Sequence, residues 1–306
     1  MILTTDSGSV GELVERLNEW LRRLPPAQER IDRLIKDLGD RFGDCLDPVT
    51  AEACVEIEQA AWPHCRHLHL EFDPDSAALP DEQSPGWPEP DPSEVNAVGA
   101  GVAGLSRLDG GLQVIRLDRL DVLSLAQPFL DAAFSLARGA RGIVLDLRHN
   151  GGGESATVAR IAGWLLGDAS TRLSEVTYRD QRRQWWTPDL PAGTAIPADI
   201  PVVVLTSAHT FSSAEALVYH LRSRSRVSVV GEATPGAADH VTPIQLTTTV
   251  RGLLPEAYVT DALTGTNWEG HGIRPDIPCQ ASEALSTALS HLDGNAPAVD
   301  DLGDRG

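Results

Sequence analysis

The stretch RGIVLDLRHNGGG, residues 141–153, runs from a nearly continuous series of apolar side chains into three consecutive glycines. Such a series, without regular polar positions, is typical of a strand that is buried on both faces. The glycines supply the positive φ angles that a tight turn needs. The apolar spacing of ESATVARIAGWLLGD, residues 154–168, then predicts a helix. This strand–turn–helix unit is the building block of a parallel sheet covered by helices.

The same unit recurs on both sides of this stretch. The further predicted strands and helices are GLQVIRL (111–117), SLAQPFLDAAFSLARG (124–139), DIPVVVLTSAHT (199–210), SSAEALVYHLRSRS (212–225) and RVSVVGEATPG (226–236). Their alternation predicts an α/β fold with a mostly parallel sheet. Residues 244–265 are predicted to form a β-hairpin on the edge of that sheet.

The N-terminal third has a different pattern. Helical spacing of apolar residues predicts three amphipathic helices within residues 9–62, which we expect to form a small bundle on the core. HCRHLHLEF, residues 64–72, alternates like a strand, and the Pro- and Asp-rich residues after it predict a linker or exposed loop. The predicted organisation is a helical bundle (1–62), the strand and linker (63–96), the α/β core (97–290) and a flexible acidic tail (291–306).

Charge and composition argue against several classes of partner. The 306 residues include 25 Lys and Arg against 44 Asp and Glu, and the net charge of −19 disfavours nucleic acid and anionic membrane surfaces. The N-terminal sequence shows no signal peptide, and no apolar run is long enough to span a bilayer. Four scattered cysteines are too few for a disulfide scaffold, so we expect free thiols and a cytoplasmic location.

Ser212 is the first candidate for chemistry. In TFSSAEALVYHL, residues 210–221, Ser212 and Glu215 have the spacing of a capping box at the start of a helix. The same position suits a nucleophile, because amides at a helix N-terminus stabilise developing negative charge. The glycines at 151–153 also have two interpretations, a plain turn or a set of amides that face an oxyanion. Taken alone, the two stretches favour the cap and the plain turn.

A serine nucleophile needs a base, because its hydroxyl is weakly nucleophilic at neutral pH. The single lysine of the chain, Lys36, falls in the N-terminal helices, so a histidine is the expected base. Spacing alone does not choose among the nine histidines, which are His64, His67, His69, His149, His209, His220, His240, His271 and His291. A metal site built from the first three, with Cys65 or Cys54 as a further ligand, is an alternative use of that cluster.

Four motifs in this order resemble the tail-specific, or C-terminal processing, serine peptidases. They are LDLRHNGGG, VVVLTSAHTFSSAE, VVGEATPG and TGTNWEGHGIRPDI, and the resemblance spans residues 97–280. It implies a crotonase-like (ClpP/crotonase) α/β core. It also implies a catalytic serine three residues before the glutamate that opens the helix, which is Ser212 here.

The sequence departs from the commoner members in two features, and in both features it resembles one branch of that family. The position after Gly236, where those members carry a catalytic lysine, is Ala237, and no PDZ module is recognisable. The branch comprises the tricorn protease core, the interphotoreceptor retinoid-binding protein repeats and the nisin-resistance peptidases, and it uses a Ser–His pair. Its histidine strand matches HCRHLHLEF with the base at His67, and its T-N-W-E-G stretch places an assisting glutamate at Glu269. His69 would share a strand face with His67 and stays open as the base.

The resemblance implies acyl-enzyme chemistry with no metal and no cofactor. Ser212 would attack a carbonyl, and His67 would accept its proton and later protonate the leaving group. The amide of Ser213 and that of Gly152 or Gly153 would form the oxyanion hole.

The sequence therefore predicts a serine hydrolase that cleaves peptide bonds. The expected partner is a peptide or a small acyl substrate. We expect an extended peptide to pair with a sheet edge. His69 and His240 are candidates for lining the cleft. Ring-forming relatives make a homo-oligomer a further expectation. Two other classes stay open: a non-proteolytic enzyme that performs acyl transfer, cyclisation or small-molecule hydrolysis, and a binding module without turnover. The joint presence of Ser212, His67 and Glu269 favours an enzyme, since binding requires none of them.

Overall fold

The structure, a computed structural model, describes residues 8–26 and 28–294. The helices are α1 (Val10–Arg23), α2 (Glu29–Phe42), α3 (Ala51–Ala61), α4 (Pro92–Ala97), α5 (Leu123–Ala137), α6 (Ser155–Leu166), α7 (Ser213–Ser223) and α8 (Ala284–Gly294). The strands are β1 (His69–Phe72), β2 (Val102–Arg107), β3 (Leu112–Leu117), β4 (Gly142–Asp146), β5 (Arg172–Tyr178), β6 (Arg182–Trp186), β7 (Val202–Thr206), β8 (Ser228–Gly231), β9 (His240–Gln245), β10 (Val250–Asp261) and β11 (Ile277–Pro278). None of the helices in these ranges has both the length and the apolar character that crossing a bilayer requires.

The larger sheet has six strands in the order β11-β8-β7-β4-β3-β2. Five of them run parallel, and β2 pairs antiparallel with β3 at one edge. Every residue of β4 and β7 is buried, because helices cover both faces of the sheet there. The prediction of an α/β fold with a mostly parallel sheet is confirmed for this part of the chain.

A second sheet, antiparallel throughout, has the order β1-β10-β5-β6, with β9 also paired to β10. The hairpin predicted within residues 244–265 forms, because β9 pairs antiparallel with β10, but both strands belong to this second sheet, so the predicted placement on the edge of the parallel sheet is wrong. The twelve residues of β10 pair with β9, β1 and β5 along their length. Two of these three partners come from distant parts of the sequence, where a local hairpin pattern gives no information. The fold is therefore α/β with mixed sheets.

The elements stack in layers that can be followed through the apolar clusters. Helices α5, α6 and α7 lie between the two sheets, in a cluster that contains side chains of β3 and β4 from one sheet and of β5 and β10 from the other. Helix α8 covers the opposite face of the larger sheet. Helices α1, α2 and α3 pack together on the second sheet against β1, β9 and β10. The N-terminal helices therefore contact the second sheet.

The predicted linker follows the outer edge of β9. Asp81 donates its N–H to the Gln245 carbonyl at 2.8 Å, and the Trp87 indole donates to the Val241 carbonyl at 3.2 Å. Helix α4 then leads into the core. At the other end, α8 continues to Gly294, so residues 291–294 of the predicted tail are helical. Residues 295–306 of that tail, and residues 1–7 at the N-terminus, lie outside the described residues.

Candidate active site

Ser212 lies where the chain leaves the buried strand β7 and enters helix α7. Its backbone has φ 53° and ψ −123°. A positive φ is unusual for a residue with a side chain and costs conformational energy. An N-cap residue ordinarily has extended backbone angles, so capping alone does not account for this conformation. Ser212 also lines a cleft in the protein surface.

Glu215 is fully buried and accepts four hydrogen bonds. The donors are the amides of Ser212 at 3.0 Å, Gly236 at 2.8 Å and Ala237 at 2.9 Å, and the Thr234 hydroxyl at 2.5 Å. Burial raises the pKa of Glu215 to about 7, and the four donors oppose that shift because they stabilise the carboxylate. Glu215 therefore fixes the start of α7 to the turn that follows β8.

The glycine turn after β4 packs directly against the serine. Gly152 has φ 102°, and a Cβ added to it would lie 2.8 Å from the Ser212 Cβ and 3.0 Å from the Ser213 nitrogen. The Gly152 amide donates to the Asn150 side chain at 2.9 Å, and the Asn150 carbonyl accepts the Phe211 amide at 3.0 Å. Asn150 is fully buried. This close approach leaves no room for a side chain at position 152.

The three residues predicted to form the oxyanion hole all lie beside Ser212. Ser213 is the first residue of α7, so its amide has no partner within the helix. Its hydroxyl donates to the Gly153 carbonyl at 2.7 Å, which joins the helix start to the glycine turn. The Gly152 amide already donates to Asn150 in this structure.

His67 lies in the turn that precedes β1 rather than in the strand itself. Its ring packs edge-on against Phe211, the neighbour of Ser212, with ring centroids 4.9 Å apart. The residue is 8% exposed, and its buried Nδ1 has no hydrogen-bond partner among the described residues. Burial lowers the pKa of His67 to about 3; the charge of His240 adds to this effect and a hydrogen bond with the Asp239 main chain opposes it. The imidazole is therefore neutral at physiological pH.

His69, the alternative to His67, lies in a different environment. It is the first residue of β1, its side chain is 60% exposed, and its Nδ1 pairs with Glu58 at 2.8 Å. The expected sharing of one strand face by His67 and His69 is wrong, because the strand begins only at His69. This exposed pair lies on the outside of the protein, whereas His67 faces the interior.

Glu269 joins two segments of backbone. One carboxylate oxygen accepts the amide of Arg66 at 3.2 Å, and the other accepts the amides of Ala238 at 2.6 Å and Asp239 at 3.2 Å. The first of these amides directly precedes His67 in the chain. Glu269 therefore positions the segment that carries His67 through the main chain.

The cleft beside Ser212 is narrow: its enclosed free volume is about 30 Å³, within about 410 Å³ of space that includes open solvent. Its walls are mainly apolar and include Leu173, Val259, Trp185 and Trp268. A concave apolar surface with a few polar groups is the usual form of a binding site for a small group or side chain.

His240 is the histidine of the glycine-rich stretch, and it lines this cleft. Its Nδ1 lies 3.3 Å from the Tyr178 hydroxyl and its Nε2 lies 3.4 Å from the Ser155 hydroxyl. Burial lowers the pKa of His240 to about 4, with the charge of Arg183 adding to the shift. His240 is thus a second neutral imidazole within the same region.

One group of side chains has the composition of a metal site. The thiol of Cys65 and carboxylate oxygens of Asp239 and Glu269 lie within 4.8 Å of one another. However, Arg30 donates to the Asp239 carboxylate at 2.6 Å and approaches that of Glu269 at 3.8 Å. Since a guanidinium already supplies the positive charge, this cluster is a poor site for a cation. His64 of the proposed histidine–cysteine site pairs instead with Asp37 at 2.7 Å.

Three residues of this region are absent from the sequence-based predictions. Asn150 follows β4 and immediately precedes the glycines, so its position could have identified it. Asp239 directly precedes His240, and this position in the sequence is a weaker indication than that of Asn150. Arg30 lies in an amphipathic helix more than 200 positions from its carboxylate partners, and no local pattern distinguishes it from the other arginines.

A serine in a strained turn at a helix start, beside a glycine turn and a buried histidine, is the arrangement of a serine hydrolase. The model of the family described as peptidase family S41 matches residues 114–279, more than half of the chain. The chain therefore belongs to peptidase family S41, the tail-specific serine peptidases, and it is a serine-type peptidase.

Several solved structures are similar to this chain. A putative peptidase from Parabacteroides merdae has a TM-score of 0.58 at 16% identity, over 94% of this chain and 97% of that chain. A lipoprotein from Streptococcus agalactiae has a TM-score of 0.57 at 15% identity, over the same shares of 94% and 97%. The photosystem II D1 C-terminal processing protease is 25% identical over 63% of this chain and 49% of that chain, with a TM-score of 0.45. The first two likenesses show that the fold extends across nearly the whole chain.

Proposed function

We propose that the protein hydrolyses peptide bonds through an acyl-enzyme on Ser212, with His67 as the general base and Glu269 as the residue that holds the base segment in place. The observation that carries the proposal is the backbone of Ser212, with its φ of 53° at the first turn of α7. Such a conformation costs roughly 1–3 kcal/mol and is retained where the surrounding structure imposes it. Here Gly152 packs closely against Ser212, and the Glu215 carboxylate accepts the Ser212 amide.

In this mechanism the Ser212 oxygen attacks the carbonyl carbon of the scissile bond while His67 accepts the hydroxyl proton. The resulting oxyanion is stabilised by the amide of Ser213 together with an amide of Gly152 or Gly153. The C–N bond then breaks as His67 returns the proton to the leaving amine. A water molecule hydrolyses the ester by the same steps, and Ser212 is regenerated with its proton.

The burial of His67 is consistent with its role as a base. A lowered pKa keeps the ring unprotonated, which is the form that can accept a proton, and it also makes the resting imidazole a weaker base than one with a pKa near neutrality. The oxyanion that develops nearby stabilises the imidazolium, because opposite charges interact strongly where water is excluded. The edge-on contact with Phe211 supports a location next to the nucleophile.

The proposal includes a finer classification. The core is assigned as crotonase-like and the protein to the branch that uses a Ser–His pair and has no PDZ module. Two observations support the Ser–His assignment over a Ser–Lys pair. Ala237, at the position of the family's lysine, is buried and donates its amide to Glu215, and Lys36 pairs with Asp40 on the exposed surface of α2. We assign the activity to the cytoplasm and to extended peptides whose side chains enter the apolar cleft.

A fluorophosphonate probe, read by intact-protein mass, tests the assignment. Wild type is expected to gain one adduct, and peptide mapping should place it on Ser212. Ser212→Ala should gain none and His67→Ala should label only at a small residual rate, while Ser135→Ala, a change at an exposed serine of α5, should label like wild type. Labelling of His67→Ala at the wild-type rate together with loss in His240→Ala would transfer the role of base to His240. Absence of any adduct on folded wild type would contradict the activated serine.

A further inference from the structure

Arg30, on the N-terminal helix α2, reaches the region that carries the proposed base. Its guanidinium donates to the His64 carbonyl and, at 2.6 Å, to the Asp239 carboxylate, and it lies 3.8 Å from the Glu269 carboxylate. The two hydrogen-bond acceptors and the ion-pair partner Glu269 belong to three different segments of the chain. A planar guanidinium suits such a site, because its five N–H groups point in fixed directions.

The contacts of Arg30 converge on the two segments that surround His67. His64 lies three residues before the base, in the same connection between α3 and β1. The main chain of Asp239 forms a hydrogen bond with the His67 ring. The Glu269 carboxylate accepts hydrogen bonds from the amides of Asp239 and Arg66. Displacement of any one of these groups would move the backbone that places the imidazole.

The charges in this cluster depend on the arginine. Asp239 is 3% exposed, and one of its carboxylate oxygens has no hydrogen-bond partner among the described residues. Burial and the neighbouring charge of Glu269 raise the pKa of Asp239 to about 7, whereas Arg30 acts in the opposite direction. Without the guanidinium, two buried carboxylates of like charge would face each other. Either one carboxylate would take up a proton, or the two segments that carry them would move apart.

The geometry points to Arg30 as a positioning residue for the serine peptidase reaction: through Asp239, Glu269 and the His64 carbonyl, it holds His67 in place beside Ser212. This inference rests on the proposed Ser212–His67 pair. It assigns to the N-terminal helices a part in catalysis, because α2 supplies the cation that orders the base.

The test compares Arg30→Met and Arg30→Lys with wild type and with Arg160→Met. Arg160 on α6 forms a partly buried two-bond pair with Asp131 of α5, so its loss is a matched control for the removal of a paired arginine elsewhere. The readout is the rate of fluorophosphonate labelling, alongside urea unfolding. Arg30→Met is expected to label about 10- to 100-fold more slowly, since a misplacement on the order of 1 Å costs about that factor. Arg160→Met should label within threefold of wild type.

Arg30→Lys keeps the positive charge, and with it the fold. It lacks the planar guanidinium whose N–H groups reach His64, Asp239 and Glu269 at once. It should retain wild-type unfolding behaviour and still label about tenfold more slowly, which keeps the inference testable if Arg30→Met does not fold. Wild-type labelling rates in both Arg30 variants would overturn the inference and leave the proposed function standing.

A double-mutant comparison separates positioning from general stability. If Arg30 acts through His67, then Arg30→Lys should lower the labelling rate in wild type but leave the small residual rate of His67→Ala unchanged. An equal loss in both backgrounds would show that Arg30 acts on the whole fold and would overturn the inference. If folded wild type does not label at all, the proposed function fails first, and the inference fails with it.

Discussion

The contact between Gly152 and Ser212 makes a sharp prediction about one methyl group. An alanine at 152 would place its Cβ 2.8 Å from the Ser212 Cβ and 3.0 Å from the Phe211 carbonyl oxygen. Both distances are shorter than carbon contacts allow, and the neighbours are backbone or Cβ atoms that cannot rotate away. The φ of 102° is also unfavourable for a residue with a side chain.

The magnitude follows from these two costs. Overpacking a rigid site typically costs about 1–3 kcal/mol, and a positive φ adds roughly 1–2 kcal/mol for alanine. We therefore expect Gly152→Ala to lower the free energy of unfolding by about 2–5 kcal/mol. Relief of the clash would displace Ser212 by several tenths of an ångström, and the rate of fluorophosphonate labelling should fall by about 10- to 100-fold.

The adjacent glycine provides the control. A Cβ added at Gly151 would meet no atom within 4 Å, so Gly151→Ala should change the free energy of unfolding by less than about 1 kcal/mol and leave labelling unchanged. Urea unfolding and labelling rates are measured on both variants and on wild type. If Gly152→Ala matches Gly151→Ala in stability and in rate, the argument that this turn holds the nucleophile in its strained conformation is refuted.

Three further predictions concern buried ionisable groups. Glu215→Ala should lower the free energy of unfolding by at least about 3 kcal/mol in urea denaturation, because four buried donors lose their acceptor. Asp261→Asn should cost about 3–5 kcal/mol in the same assay, since the buried Asp261 carboxylate accepts from His220 at 2.7 Å and from Arg224 at 2.9 Å. The His67 imidazole, followed by NMR against pH, should show no protonation near pH 6.5, because its folded-state pKa is about 3, whereas Asp239 and Glu215 have pKa values of about 7 and titrate in that range.

Each of these three has its own contradicting result. A stability loss below about 1 kcal/mol in Glu215→Ala or Asp261→Asn would mean that water or a neighbour replaces the lost partner. A His67 ring signal that titrates near pH 6.5 while circular dichroism shows a folded protein would mean that the base is less buried than the structure indicates.

Local patterns predict that Ser212 and the glycine turn lie together at one edge of the sheet, while the role of Ser212 as the nucleophile comes from the family resemblance. Buried parallel strands end in polar or glycine-rich turns at one edge of the sheet, and the strands β4 and β7 are apolar throughout. The turns that follow them bring Gly152 and Ser212 together without any information from elsewhere in the chain. The spacing of Ser212 and Glu215 is likewise visible within a single helical turn.

The base half of the site could not be predicted in the same way. His67 and His69 are two residues apart in an alternating stretch, and strand periodicity assigns them to one face. Only the tertiary fold shows that the strand starts at His69, which leaves His67 in the preceding turn and turned inward. The second sheet was missed for a related reason, since β10 pairs with β1 and β5 across long separations in sequence.

The difference between the two halves has a mechanical consequence for the proposed catalytic pair. The nucleophile belongs to the layer of the parallel sheet, where neighbouring strands fix its position. The base belongs to the turn that precedes β1, a strand of the second sheet, and it meets the nucleophile layer at the contact with Phe211. The Glu269 hydrogen bonds and the Arg30 ion pairs hold the two segments around the base together. Small shifts between the layers would therefore separate the base from the nucleophile while leaving each half intact. When those contacts are weakened, we expect this peptidase to lose its activity before it unfolds.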